Sequence, residues 1–128
     1  MIFVDSSAWI EFLRDTGSTT CRRVDQLLGS DLATCEPVSM EVLSGARDEA
    51  HLRDLRRLLG STTLILTLSR DYEDASTIYR ACRRGGDTPR TLMDCLIAAI
   101  TIRHNATLLH ADADFDAIAR HTRLKTDR

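Results

Sequence analysis

The chain has no C-x-x-C pair, a single lysine, and no apolar run approaching the roughly 20 residues needed to span a bilayer. Its cysteines, Cys21, Cys35, Cys82 and Cys95, stand far apart in apolar or helical surroundings, and the histidines at positions 51, 104, 110 and 121 form no short-spaced group. Zinc is therefore not expected, and the cysteines read as reduced core residues. The lone lysine, Lys125, is nearly terminal, which argues against a receiver-type signalling domain with its phosphorylated aspartate and later lysine. The opening Met1-Ile2-Phe3-Val4-Asp5 lacks the basic region and long apolar stretch of a secretory leader, so the expected location is the cytoplasm. Repeats, low-complexity tracts and linkers are missing too, so one domain over residues 1–128 is expected.

What is present suits a packed soluble fold: 43% hydrophobic and 28% charged residues in a chain of 128, long enough to bury a core without disulfides. The net charge of -2 conceals arginine-rich patches at Arg22-Arg23, Arg53 with Arg56-Arg57, and Arg80 with Arg83-Arg84, so charge alone does not exclude nucleic acid. Ile2-Phe3-Val4, Leu32-Ala33-Thr34-Cys35, Thr63-Leu64-Ile65-Leu66 and Thr107-Leu108-Leu109 read as strands, with a weak fifth near Leu124. Between them lie helical patterns. Asp5-Ser6-Ser7 can cap the first, and Val24, Leu27 and Leu28 mark a second, stopped by Gly29. A third follows Pro37, and Leu52, Leu55, Leu58 and Leu59 form the stripe of a fourth. Ser69 is expected to cap a fifth whose inner face is Tyr72, Ala75, Ile78, Tyr79 and Cys82. Helices over Thr91 to His104 and Asp114 to Arg120 complete the series. Strands alternating with helices predict an α/β fold: a mainly parallel central sheet of about four to five strands with helices on both faces. Ligands in such sheets sit at the carboxyl ends of the strands, where Asp5 and Asp112 both fall.

Asp94 stands out. The segment Leu92-Met93-Asp94-Cys95-Leu96-Ile97-Ala98-Ala99-Ile100 is apolar on almost every side, which predicts a buried helix. An ionised carboxylate there costs several kcal/mol unless a cation or hydrogen bonds offset the lost water, and the helix dipole supplies only about 0.3 to 1 kcal/mol. Glu41, one turn into its helix, also starts near a strand's carboxyl end. Dispersed carboxylates of this kind match magnesium or manganese, hard cations that take oxygen ligands; crowded without metal, they would repel one another and retain protons. Asp5 or Asp112 taken singly would be an ordinary turn or cap, and Asp114 a plausible helix cap.

At these residues the sequence resembles the PIN-domain nucleases, and within them the VapC-type toxins of bacterial toxin-antitoxin pairs. The carriers are Ile2-Phe3-Val4-Asp5-Ser6-Ser7-Ala8-Trp9-Ile10, Glu41 before Val42-Leu43-Ser44-Gly45, Asp94 before Cys95-Leu96-Ile97-Ala98-Ala99, and His110-Ala111-Asp112-Ala113-Asp114-Phe115. The resemblance covers the whole chain. His110 departs from the pattern, where threonine is common. The resemblance implies hydrolysis of RNA phosphodiester bonds with Mg2+, or Mn2+ as substitute. It implies Asp5 and Asp94 as principal metal ligands, Glu41 and Asp112 completing the cluster or orienting water, Asp114 in support, and a hydroxyl from Ser7, or secondarily Ser6. One or two ions, and Asp112 or Asp114 as the nearer ligand, remain alternatives. It also implies a homodimer and a cognate VapB-type antitoxin that blocks the acidic cleft, with the faces bearing Trp9 and Phe12 or Tyr72 and Tyr79 as surfaces for them. Two divalent ions would shift the net charge from -2 to about +2, easing the approach of RNA. Arg90, beside a glycine-rich loop with Asp87, is a candidate substrate contact. The rival expectation is a non-catalytic module on the same fold whose acidic pocket receives a partner's basic side chain.

Overall fold

The computed structural model describes residues 1–128. In chain order the elements are β1 (Ile2–Val4), α1 (Ser6–Leu13), α2 (Thr19–Leu27), β2 (Leu32–Cys35), α3 (Glu36–Ser44), α4 (Glu49–Gly60), β3 (Thr63–Ile65), α5 (Ser69–Arg84), α6 (Leu92–Arg103), β4 (Thr107–Leu109), α7 (Ala113–His121) and β5 (Lys125–Asp127). The strands form one sheet in the order β3-β2-β1-β4-β5, and every pairing is parallel. The expected α/β architecture is present.

Strand order explains where a site can form. From β1 the chain steps outward to β2 and β3, then returns across the sheet to β4 and β5 on the other side. Helix contacts fall mostly within α1 to α4 and within α5 to α7, with α3 also meeting α6, as expected of crossovers that run in opposite directions from the sheet's centre. The seam between β1 and β4 is the switch point, and the loops leaving those strands diverge to opposite faces and open a crevice at their carboxyl ends. Val4 pairs with Leu109 there, so Asp5 and the segment from His110 to Asp114 are brought side by side.

Core burial follows the apolar pattern. Phe3, Val4, Leu108 and Leu109 are enclosed in the central strands, and Cys95 to Ile100 are buried along α6. Covering a helix on all sides fixes its position, since large-to-small changes in such a core typically cost about 2–5 kcal/mol. The four cysteines are free and buried, and burial pushes the thiols of Cys35 and Cys95 up to about 12, as suits inert core residues.

Several expectations are corrected. Tyr72 is not on the inner face of α5: it is 62% exposed, and its neighbour Asp71 points inward, wholly enclosed. Asp71 pairs with Arg103 at the end of α6 through Nε–Oδ1 at 2.8 Å and Nη2–Oδ2 at 2.9 Å. Ser69 is the first residue of α5 rather than its cap; Asp71 Oδ2 accepts the Leu68 N–H at 2.7 Å and does that work. Trp9 is fully buried, edge-on to Phe12 with ring centroids 6.4 Å apart, so it offers no partner surface. β3 is a three-residue edge strand with Thr63 and Leu64 exposed, and Leu66 lies beyond it.

Gly85 ends α5 against α7. A Cβ there would lie 2.2 Å from His121 Cε1 and 2.6 Å from Nδ1. The His121 ring in turn sits 2.7 Å from Asp87 Oδ2, and Arg120 lies 3.2 Å from Asp87 Oδ1. Gly85→Ala is expected to displace His121 and cost about 1–3 kcal/mol through overpacking, which thermal melting measures. An unchanged melting temperature would mean the ring moves aside freely.

Candidate active site

Asp5 follows β1 directly, and its backbone N–H donates to Leu109 O at 2.9 Å, continuing the sheet by one rung. Its carboxylate caps α1: Oδ2 accepts the Ser7 N–H at 3.0 Å and the Ser7 hydroxyl at 2.6 Å. Ser7 Oγ also accepts the Ala111 N–H at 2.9 Å, tying the loop after β4 to the start of α1. Next to it, Ser6 Oγ donates to Glu41 Oε1 at 3.3 Å. The two serines thus divide their work, Ser7 orienting Asp5 and Ser6 orienting Glu41.

Asp94 enters from the first turn of α6, whose cap is Thr91. Asp112 caps α7, with Oδ1 accepting the Asp114 N–H at 2.9 Å. One carboxylate oxygen from each of Asp94, Asp112 and Asp114 lies within 4.8 Å of the other two, close enough for a single cation to reach all three. Asp5 and Glu41 stand beside this trio rather than in it. Charge is nonetheless felt across the crevice: that of Asp5 acts on Asp94 and Glu41, and that of Asp112 acts on Asp5, Glu41 and Asp94. Asp114 therefore stands in the front rank with Asp112.

Protonation records the crowding. Burial, followed by repulsion from Asp5, Asp112 and Asp114, pushes the Asp94 carboxyl up to about 7. Burial raises Asp5 as well, against the opposing Ser7 hydrogen bonds, and burial followed by repulsion from Asp5 raises Glu41. Asp5 Oδ1 is enclosed with no hydrogen-bond partner. An orphaned, buried carboxylate oxygen beside repelling acids fits a hard divalent cation with an all-oxygen ligand set.

His110 accounts for its own departure from the family pattern. It is fully buried, and its Nδ1 accepts the Asp112 N–H at 3.1 Å. Burial lowers its pKa, favouring the neutral ring whose Nε2 faces Asp116 Oδ1 at 3.5 Å. The ring positions the Asp112 backbone without adding positive charge to the site.

Arg90 is seated on the acids. Its Nη2 lies 2.7 Å from Asp112 Oδ1 and its Nε 3.0 Å from Asp114 Oδ2. Sequence patterns gave no signal for this pairing, nor for Ser6 on Glu41 or Asp87 on Arg120 and His121, because each joins residues more than 20 positions apart. The arginine patches at Arg53, Arg56 and Arg57 and at Arg80, Arg83 and Arg84 are exposed.

The PIN domain family matches residues 2–121 of the chain. The chain belongs to the PIN-domain family. Within it, the chain is of the VapC type. It is 48% identical over 129 residues to ribonuclease VapC11 of Mycobacterium tuberculosis, covering 98% of this chain and 96% of that protein. Ribonuclease VapC51 of the same species is 33% identical over 91 residues, covering 71% of this chain and 66% of that protein. Among solved structures, VapBC2 from Rickettsia felis bound to a promoter DNA fragment aligns with a TM-score of 0.79 at 18% identity, covering 99% of this chain and 98% of that one. VapC20 of M. tuberculosis, a sarcin-ricin loop cleaving toxin, aligns with a TM-score of 0.68 at 18% identity, covering 98% and 99%. At such identities these structures speak for the fold of this PIN domain. No helix is long and apolar enough to cross a membrane.

Proposed function

We propose that this chain is a metal-dependent endoribonuclease and the toxin of a type II toxin-antitoxin pair, acting in the cytoplasm through one PIN-like domain over residues 1–128. The observation that carries the reading is the meeting of Asp94, Asp112 and Asp114 within 4.8 Å beside the buried Asp5, at the switch point of a parallel sheet. Nearly full-length similarity to proteins named ribonuclease VapC supports RNA as the substrate class.

Asp5, Asp94, Asp112 and Asp114 would hold Mg2+, with Mn2+ as substitute, and Glu41 completes the acidic group. When bound, the cation supplies an activated water and stabilises charge on the phosphate. Ser7 keeps the Asp5 carboxylate in one rotamer by donating its hydroxyl proton to Oδ2. Glu41, held by Ser6 and with its carboxyl raised by burial and then by repulsion from Asp5, is suited to orient a water and accept its proton. Arg90 at the rim is the substrate-contact candidate. A VapB-type antitoxin is the proposed protein partner, supported by solved relatives described as VapBC assemblies. A homodimer is proposed as well. Exposed Met40 and Tyr72, which line one groove with Met93, offer apolar contact area for these associations.

Purified protein given Mn2+ and a total RNA pool is expected to cleave it, and EDTA to stop the reaction; intact RNA throughout would refute the assignment. Metal should also stabilise the fold by about 2.7 kcal/mol when present at roughly 100 times its Kd. Thermal melts with and without Mn2+ check this. A second reading draws on Arg90, whose seat on Asp112 and Asp114 is a guanidinium already accommodated by the acids. On that reading the chain is a non-catalytic module whose acidic pocket receives a partner's basic side chain, and no metal elicits cleavage.

A further inference from the structure

The oxygens that Arg90 touches have no lone pair to spare. Asp112 Oδ1 accepts from Arg90 Nη2 at 2.7 Å and from the Asp114 N–H at 2.9 Å, while Asp114 Oδ2 accepts from Arg90 Nε at 3.0 Å and from the Arg90 N–H at 3.1 Å. A carboxylate oxygen offers two lone pairs in the plane, so both acceptors are full. A cation taking either oxygen must displace a donor. The Asp114 N–H belongs to the cap of α7, and its loss would leave the helix start uncapped. The guanidinium is different: the Arg90 side chain is 71% exposed and has water to receive it.

We propose that Arg90 is a built-in counter-ion that holds Asp112 and Asp114 in the metal-free protein, competes with the divalent cation for them, and swings away when it binds. The inference rests on the metal reading above. Charge supports it: with Asp94 and Asp5 close by, the acids need a positive partner, and Arg90 is the cation paired with two of them. The loop also suits a side-chain movement more than a wholesale opening. Asp87 is held by Arg120 and His121, and Pro89 is buried, so the backbone on the approach to Arg90 is anchored. A released guanidinium stays at the rim, where a substrate phosphate would meet it, and its planar fork matches phosphate geometry.

Two measurements test this on the full chain. In the first, Mn2+ binding is titrated calorimetrically for wild type, Arg90→Ala, Arg90→Lys and Arg84→Ala. If the paired state of Arg90 dominates, its removal should tighten binding about tenfold, because the competent fraction of sites rises accordingly. Arg90→Lys keeps the charge without the fork and should fall between. Arg84→Ala makes the same charge change on an exposed arginine elsewhere and should stay near wild type. In the second, the Arg90 Nε–H resonance, assigned by its loss in Arg90→Lys, is followed while Mg2+ is added. It is expected to move to the position of a solvated arginine at saturation. Equal Mn2+ affinity in wild type and Arg90→Ala, equal tightening by Arg84→Ala, or an Arg90 signal unmoved by saturating Mg2+ would each overturn the proposal while leaving the metal site intact. Failure of every protein to bind either ion overturns the metal reading and this inference with it.

Discussion

Asp94→Asn is expected to lower metal-dependent RNA cleavage by about a hundredfold or more while leaving the metal-free protein at least as stable as wild type. The two effects have one cause. Asparagine keeps the shape of the side chain but removes a charge that burial and the neighbouring acids disfavour. In the folded protein the Asp94 carboxyl holds its proton up to about 7, whereas an unperturbed carboxyl releases it near 3.8. Between these values the folded state binds the extra proton, so wild-type stability falls as pH rises through that window, and the cost is fully present above it. Part of the side chain is reached by water, which limits the cost to about 1–2 kcal/mol. The variant should therefore out-melt metal-free wild type at pH 8, and the gap should close towards pH 4. Undiminished cleavage by the variant, or a lower melting temperature at pH 8, would contradict this account of the site.

Arg103→Met is expected to cost about 3–5 kcal/mol, a large fraction of a small domain's stability. The substitution preserves much of the side-chain volume but strands the Asp71 carboxylate, which is fully enclosed. In the intact protein burial opposes ionisation of Asp71, yet the Arg103 hydrogen bonds and the Leu68 N–H outweigh it and hold the carboxyl below its usual range. That contribution is present above an ordinary carboxyl pKa and is lost as pH falls below it. Arg103 Nη2 also donates to Leu66 O at 3.0 Å, so the same guanidinium fastens the segment between β3 and α5. Urea unfolding at pH 7 measures the loss, and an apolar replacement at both positions, Asp71→Leu with Arg103→Met, should recover part of it. Because Arg103 lies at the opposite end of α6 from Asp94, cleavage per folded molecule should be retained. A loss below about 1 kcal/mol would show the pair to behave like a surface contact.

These cases show what local patterns reveal. Asp94 was legible because a carboxylate in a helix apolar on all sides has few bland explanations, and β1, β2 and β4 were legible because their strand formers are buried. Asp71 was not. Helical spacing placed Tyr72 inward because aromatics are usually buried, whereas the residue one position earlier has a cationic partner 32 positions along the chain. β3 gave a strand pattern, but only the sheet order reveals it as an edge with Thr63 and Leu64 exposed. The same limit governs the acids. Their presence and rough location could be read, but the closeness of Asp114 to Asp94, the division of labour between Ser6 and Ser7, and the seat of Arg90 depend on long-range geometry.

The central place of β1 has a consequence for the chain as it is made. Its neighbours are β2, translated soon afterwards, and β4, which begins only at Thr107. A growing polypeptide carries Asp5 from the outset but lacks Asp112 and Asp114 until synthesis is nearly complete, and pairing across so long a separation is among the slower steps of folding. The acidic group at the crevice can therefore form only after the last fifth of the chain has been made and β4 has docked against β1.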